Sequence, residues 1–241
     1  MVENLDEYLM GIALGVRFRA NFSIEDRLGQ IADEILYSDN SFFNPSVFPM
    51  VNREAGKKVF FNKNTDDNFQ IDNSNIILEI NFGKDYTFDK KDIGNIVNHY
   101  YSDIIKGVMD QYSIKEVARI GFIKRYIFPI KILADNFVKK TVGQKLGSIE
   151  DINLTFSRKL VVEKALTKKD VNDYDNIIFN ILKIADKDEI FMSVDFQTYY
   201  DPYLPSSSQI EFRKFIEKAN KYNNSTFLPW LETNYIGEGN E

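Results

Sequence analysis

The stretches GVRFRANF (residues 15–22) and GFIKRYIF (residues 121–128) decide how this chain is read. In the first, Val16, Phe18, Ala20 and Phe22 alternate with Arg17, Arg19 and Asn21. Successive side chains of a strand point to opposite faces, so the alternation predicts a strand buried on one side. Gly15, Arg19 and Phe22 stand at one constant offset from Gly121, Arg125 and Phe128. A second pair, NIILEINF (75–82) and EIFMSVDF (189–196), aligns without a gap and brings Tyr86 onto Tyr200. Its offset is 114 residues against 106 for the first pair, a difference that one loop insertion explains.

The segments between these stretches follow the same order in each half. Ser23 is placed to cap a helix whose apolar stripe is Ile24, Leu28, Ile31 and Ile35. The region 39–75 is rich in Asn, Asp, Lys and Gly, with short strands expected at 58–62 and 68–71. A helix is expected over 90–112, with Ile104, Val108 and Tyr112 ending its stripe. In the second half, 118–128 reads as a strand and Pro129 as the first turn of a helix bearing Leu133, Phe137 and Val138. Residues 152–156, 177–184 and 190–196 read as strands. Ser208 and Glu211 have the spacing of a capping box before a last helix with Ile210, Phe212, Phe215, Ile216 and Ala219 as its stripe.

The expected class is α+β. Residues 1–241 would form a single domain of two β-α-β-β-β-α pseudo-repeats, about 9–113 and 115–222, with a C-terminal extension over 223–241. Side by side, the halves would give a continuous curved antiparallel sheet with helices on one face. This order resembles the duplicated saddle of TATA-box-binding-protein-like domains, a resemblance of topology that implies a fold and no function. Any two amphipathic strands look alike, so coincidence stands beside duplication as an explanation.

Composition narrows the function classes. Thirty basic residues against 36 acidic ones leave a net charge of −6, which lacks the electrostatic footprint of a general duplex-DNA binder. Without cysteine there is no disulfide, thiolate metal site or cysteine nucleophile, and His99 as the single histidine excludes a multi-histidine metal centre. His99 reads as part of a solvated helix face. The apolar run 10–16 is far short of the roughly 20 residues of a membrane helix and has no basic flank, so a cytoplasmic location without membrane contact is expected. The acidic group Asp170, Asn172, Asp173 and Asp175 lacks the glycine and glutamate of a calcium loop and reads as a turn. Neither a phosphate-binding loop, nor a nucleophile elbow, nor a dinucleotide fingerprint occurs, and no cofactor or metal is implied.

The strands leave one face over. If Phe18, Phe22, Ile80, Phe122 and Tyr126 face the helices, then Arg17, Arg19, Glu79, Asn81, Arg125, Asp195, Gln197 and Tyr199 face away. Four of the eight arginines, Arg17, Arg19, Arg119 and Arg125, lie on the two matching first strands. Arginine grips carboxylates and phosphates with a planar fork, so the cluster reads either as cross-strand ion pairing or as a recognition surface. The pairing expected in the first case is Arg19 with Glu79 or Asn81, and Arg125 with Asp195. The segment DFQTYYDPYLP (195–205), with Tyr199, Tyr200 and Tyr203, reads either as a contact rim or as a loop packed over the sheet edge. Trp230 is expected to pin the C-terminal segment.

The run Arg119-Ile120-Gly121-Phe122 followed by Arg125-Tyr126 resembles a sporadically distributed bacterial family of uncharacterised proteins with an arginine-glycine-arginine-tyrosine strand. Here the second arginine and the tyrosine come two residues later than in that family's pattern. The resemblance implies no activity and supplies no catalytic residue.

The function expected from these features is non-enzymatic binding or regulation, in which the open polar face or the tyrosine-rich rim holds a partner protein or a second copy. Arg17, Arg19, Arg125, Asp195, Tyr199 and Tyr200 are the candidate contact residues. A bacterial defence or toxin–antitoxin setting follows by analogy. The alternative is an enzyme or sensor for a phosphate-bearing small molecule, with Arg19 and Arg125 on the phosphate and Tyr199 or Asp195 assisting.

Overall fold

A computed structural model of the chain describes residues 5–37, 50–54, 56–62, 64–82, 104–129, 152–161, 173–183 and 189–233. The described residues form an α+β arrangement dominated by one antiparallel sheet. Its strands are β1 (Leu9–Phe18), β2 (Met50–Glu54), β3 (Lys57–Phe61), β4 (Asn68–Asp72), β5 (Asn75–Asn81), β6 (Lys115–Pro129), β7 (Ile152–Val161), β8 (Tyr174–Lys183) and β9 (Glu189–Ser206). They lie in the order β2-β3-β4-β5-β1-β6-β9-β8-β7. Against it pack α1 (Phe22–Asp26), α2 (Leu28–Tyr37), α3 (Lys106–Gln111), α4 (Phe212–Tyr222) and a last turn, α5 (Leu228–Leu231).

The centre of the sheet is the antiparallel pair β1–β6, in which Gly15 stands opposite Gly121, Arg17 opposite Arg119 and Ala13 opposite Ile123. Alternation then sorts the side chains. Ile12, Leu14, Val16 and Phe18 of β1 point to the helices, as do Ile120, Phe122, Tyr126 and Phe128 of β6, and all are buried. The same side of β5 carries Ile76, Leu78 and Ile80, and that of β9 carries Ile190, Met192, Val194 and Phe196. With Ile31 and Ile35 of α2, Val108 and Met109 of α3, and Phe215 and Ile216 of α4, these residues make one core. Lys124 shares the core side of β6, its ammonium 6.0 Å from the centre of the Phe122 ring. Gly11 answers a steric demand of the backbone. A Cβ there would lie 2.8 Å from the Ile80 carbonyl oxygen, at the point where the β1–β6 register shifts.

Several local expectations are corrected. The first strand ends at Phe18, not Phe22, and Phe22 is 68% exposed at the start of α1. Asn21 caps that helix, not Ser23: its side-chain oxygen accepts from the Ser23 backbone N–H at 3.1 Å. Pro129 closes strand β6 and does not open a helix. Strand β2, within the polar region 39–75, carried no recognisable alternation in the sequence. Strand β9 runs unbroken to Ser206, so the tyrosine-rich segment is part of the sheet and not a loop over it. The Ser208–Glu211 capping box does not form. Glu211 precedes α4 without a side-chain cap bond, while the Ser206 hydroxyl accepts from the Ser208 N–H at 3.3 Å. Asp175 lies within β8 and is buried, accepting from the Thr198 hydroxyl at 2.7 Å and pairing with Lys218. Residues 90–103 of the expected long helix, with His99, and the helix expected around Leu133 fall outside the described residues, as does Tyr86. No helix of the described residues is long and apolar enough to cross a membrane.

The chain after α4 continues through a π-helical turn (Asn223–Phe227) into α5. This segment covers β7 and β8 with aromatic rings: Phe227 lies 5.6 Å from Phe179, and Trp230 lies 6.1 Å from Phe156. Replacing Phe227, which is buried, with alanine leaves a cavity and is expected to cost about 3–5 kcal/mol of unfolding free energy in urea melts. Phe22→Ala should cost less than about 0.5 kcal/mol. Equal costs would mean that Phe22 belongs to the core.

Candidate functional site: the polar sheet face

The face opposite the core carries polar side chains on β1 and on β4 to β9, and no described helix packs on it. They organise into rows that run across the strands. In one row Arg125 of β6 reaches over β1 and donates to Glu79 of β5 at 2.5 Å, while Asn68 of β4 donates to the same carboxylate at 2.8 Å. The small residues Gly11 and Ala13 on the intervening strand leave room for that reach. Burial works against the charged Glu79, but the bonds from Arg125 and Asn68 and the Arg125 charge outweigh it and hold the carboxyl below its ordinary pKa. On the other side of β6, Asn180 bridges Thr155 and Ser193 at 2.9 and 3.1 Å.

A second row is cationic and aromatic. The Arg119 guanidinium lies 5.6 Å from the centre of the Tyr199 ring and donates to its hydroxyl at 3.2 Å. Tyr199 stacks on Tyr174 with centroids 4.8 Å apart and planes 6° from parallel. Lys159 of β7 then covers Tyr174 at 3.8 Å. Each contact links adjacent strands, so cation–π attraction and ring stacking fasten β6, β9, β8 and β7 together.

Between these rows, over the Gly15–Gly121 pair, lies a groove of about 90 Å³. Arg17 and Arg119 line one end, Asp195 and Gln197 another, and Ile77 and Ile123 form apolar walls. The Asp195 carboxylate accepts from the Gln197 amide N–H, which fixes the orientation of that amide. Gln197 is 5% exposed, and its Oε1 is buried with no hydrogen-bond partner. Burial pushes the Asp195 pKa up to about 6, against the opposing pull of the Gln197 bond and the Arg119 and Arg125 charges.

The structure brings Arg17, Arg125, Asp195 and Tyr199 onto this face. Arg19 lies beyond the strand end and is 63% exposed, forked against Glu116 at 3.1 and 3.2 Å. Glu116 sits in the left-handed backbone region at φ 55°. The ion pairs are therefore Arg19–Glu116 and Arg125–Glu79, not the ones expected. Tyr200 does not join Tyr199 on the face: it is 7% exposed and belongs to the core. Its hydroxyl pKa is raised by burial and by the charges of Asp173 and Asp175. Arg119, Gln197 and the glycine pair were missing from the sequence-derived contact set. Gly121 and Arg119 stand in the matched strand, but only the β1–β6 register shows that Gly15 and Gly121 meet. No group of three metal-ligating side chains converges among the described residues. Comparison with known proteins adds no relative: no family model matches the chain, and no curated protein matches it.

The sign of the Asp195 shift sets a pH dependence. The folded chain holds this proton up to about pH 6, while an unfolded carboxyl loses it near 3.8. Stability contributed by this group is therefore greatest below that lower value and declines as pH rises through 6. Asp195→Asn should raise stability at pH 7.5 by about 1–2 kcal/mol and have little effect near pH 3.5, measured by urea unfolding at both pH values. Destabilisation at pH 7.5 would show that the arginine charges outweigh burial.

Proposed function

We propose that this chain is a non-enzymatic binding or regulatory protein whose polar sheet face holds a partner protein. The observation that carries the reading is the asymmetry of the sheet: the described helices cover one face, while the other presents organised charged and aromatic rows. The groove at its centre, about 90 Å³, falls below the roughly 300–1,000 Å³ of most small-molecule sites, which weighs against the phosphate-ligand alternative. Arg19 and Arg125, the phosphate ligands of that alternative, are both already paired with glutamates. A groove of this size suits a single anchoring group on a larger contact surface.

We further infer that the two halves are a duplicated unit with TATA-box-binding-protein-like topology. In support, the strand order outward from the centre is β1-β5-β4-β3 on one side and β6-β9-β8-β7 on the other, with β2 added at one edge. The matched residues Gly15 and Gly121 stand opposite each other at the join, as an approximate two-fold relation requires. The carboxylates of Glu79 and Asp195 on the face disfavour a phosphate backbone, so duplex DNA is not the proposed partner.

The test compares the full chain with a face variant, Arg17→Glu with Arg119→Glu, and with Arg213→Glu on the exposed side of α4. Proteins captured from host extract are identified, and self-association is followed by sedimentation velocity. The face variant should weaken a captured partner or the dimer by at least ~10-fold, with Arg213→Glu unchanged. Equal retention by all three proteins contradicts the reading.

A further inference from the structure

The groove over the Gly15–Gly121 pair has features that a flat contact surface does not need. Neither glycine is there for backbone reasons. A Cβ at Gly15 would come no nearer than 3.8 Å to its neighbours, and one at Gly121 no nearer than 3.7 Å, both ordinary contacts. Their lack of side chains keeps the floor open. At one end Arg17 is exposed and has no ion-pair partner among the described residues. Arg119 stands directly opposite it across the β1–β6 pair. At the other end are the Asp195 carboxylate and, lining the groove beside it, the Gln197 side chain, whose Oε1 is buried with no hydrogen-bond partner. A buried carbonyl left without a donor is costly, so a donor brought to it gains more than one brought to a solvated acceptor.

The register sets the span. Along β6, Arg119, Gly121 and Ile123 are successive residues on this face, with Gln197 opposite Gly121 and Asp195 opposite Ile123. Successive rows are roughly 7 Å apart along the strand and strands about 4.8 Å apart, so the arginine row and the Asp195 row flank the glycine row, in which Gln197 itself stands, at the scale of one small molecule. A volume of about 90 Å³ admits a solute of few heavy atoms and no nucleotide.

The geometry points to a binding site for a compact zwitterion of the small amino-acid class, with its carboxylate on Arg17 and Arg119 and its ammonium group on Asp195 and Gln197 Oε1. An anion alone leaves the acceptors unserved, and a cation alone meets two arginines. The zwitterion matches both ends, and its short carbon stem lies between Ile77 and Ile123. This inference goes beyond the partner-protein reading, since a small ligand can be measured with no partner present.

Isothermal titration of the full chain tests it with glycine, L-alanine and β-alanine, against glycinamide (no carboxylate), N-acetylglycine (no ammonium) and inorganic phosphate. At least one zwitterion should bind saturably, with both blocked analogues and phosphate at least ~10-fold weaker. Gly121→Val should abolish the heat by filling the floor. Arg17→Ala, at an exposed position that the fold does not need, should weaken it by at least ~10-fold. Absence of saturable heat with all three zwitterions overturns the proposal. So does phosphate binding as tightly as the best of them, or binding that survives Arg17→Ala unchanged. Capture of a protein partner bears on none of these outcomes.

Discussion

The pairing of β1 with β6 is the constraint on which the rest of the sheet depends. These two strands stand near the middle of a nine-strand order, with β5, β4, β3 and β2 hung on one and β9, β8 and β7 on the other. Unpaired, each block would present a long apolar strand edge, the kind of surface that drives aggregation. Joined, they bury one continuous core beneath both blocks. At the centre of the join the two strands face each other through glycine, and one row further on through Ala13 and Ile123.

Those small residues also shape the other face. Large side chains in the Gly15–Gly121 row would have made a flat polar surface. Their absence leaves a groove between the arginine pair and Asp195, while Gly11 and Ala13 further along β1 let Arg125 cross to Glu79. The ion pairs differ in what they contribute. Arg19–Glu116 is exposed on both sides and stabilises little. Arg125–Glu79 is about three-quarters shielded and also shared with Asn68, so removing one partner strands a charge in a poorly solvated place. Asp195 is the case where burial prevails over nearby arginines.

Much of the fold was legible in the sequence because alternation is a strong signal when one face is buried. The strands around Val16, Ile76, Phe122 and Met192 were found that way, and so were the apolar stripes of α2 and α4. Where the signal was local, it misled. Phe22 continues the alternation of β1, but the chain turns at Ala20 and Asn21, where Asn21 can cap a helix. Tyr199 and Tyr200 looked like one rim, yet neighbours within a strand point to opposite faces, and the parity of Phe196 places Tyr200 in the core. The site was less legible than the fold. Which arginine meets which glutamate depends on the register between strands far apart in sequence, and one bulge changes it. Glu116 became the partner of Arg19 through such a shift, between Arg17 and Phe18.

Because the chain has no cysteine, solvent access to the two sides of the central join can be read by thiol labelling of single-cysteine variants. Ile123→Cys and Phe122→Cys place the thiol on adjacent residues of β6 that point to opposite sides. The account predicts prompt labelling at 123 under native conditions, and labelling at 122 slower by at least ~100-fold, because it must wait for the strand to open. Protection at 123 as strong as at 122 would mean that this side of the sheet is covered, and would contradict the open face on which the functional reading rests.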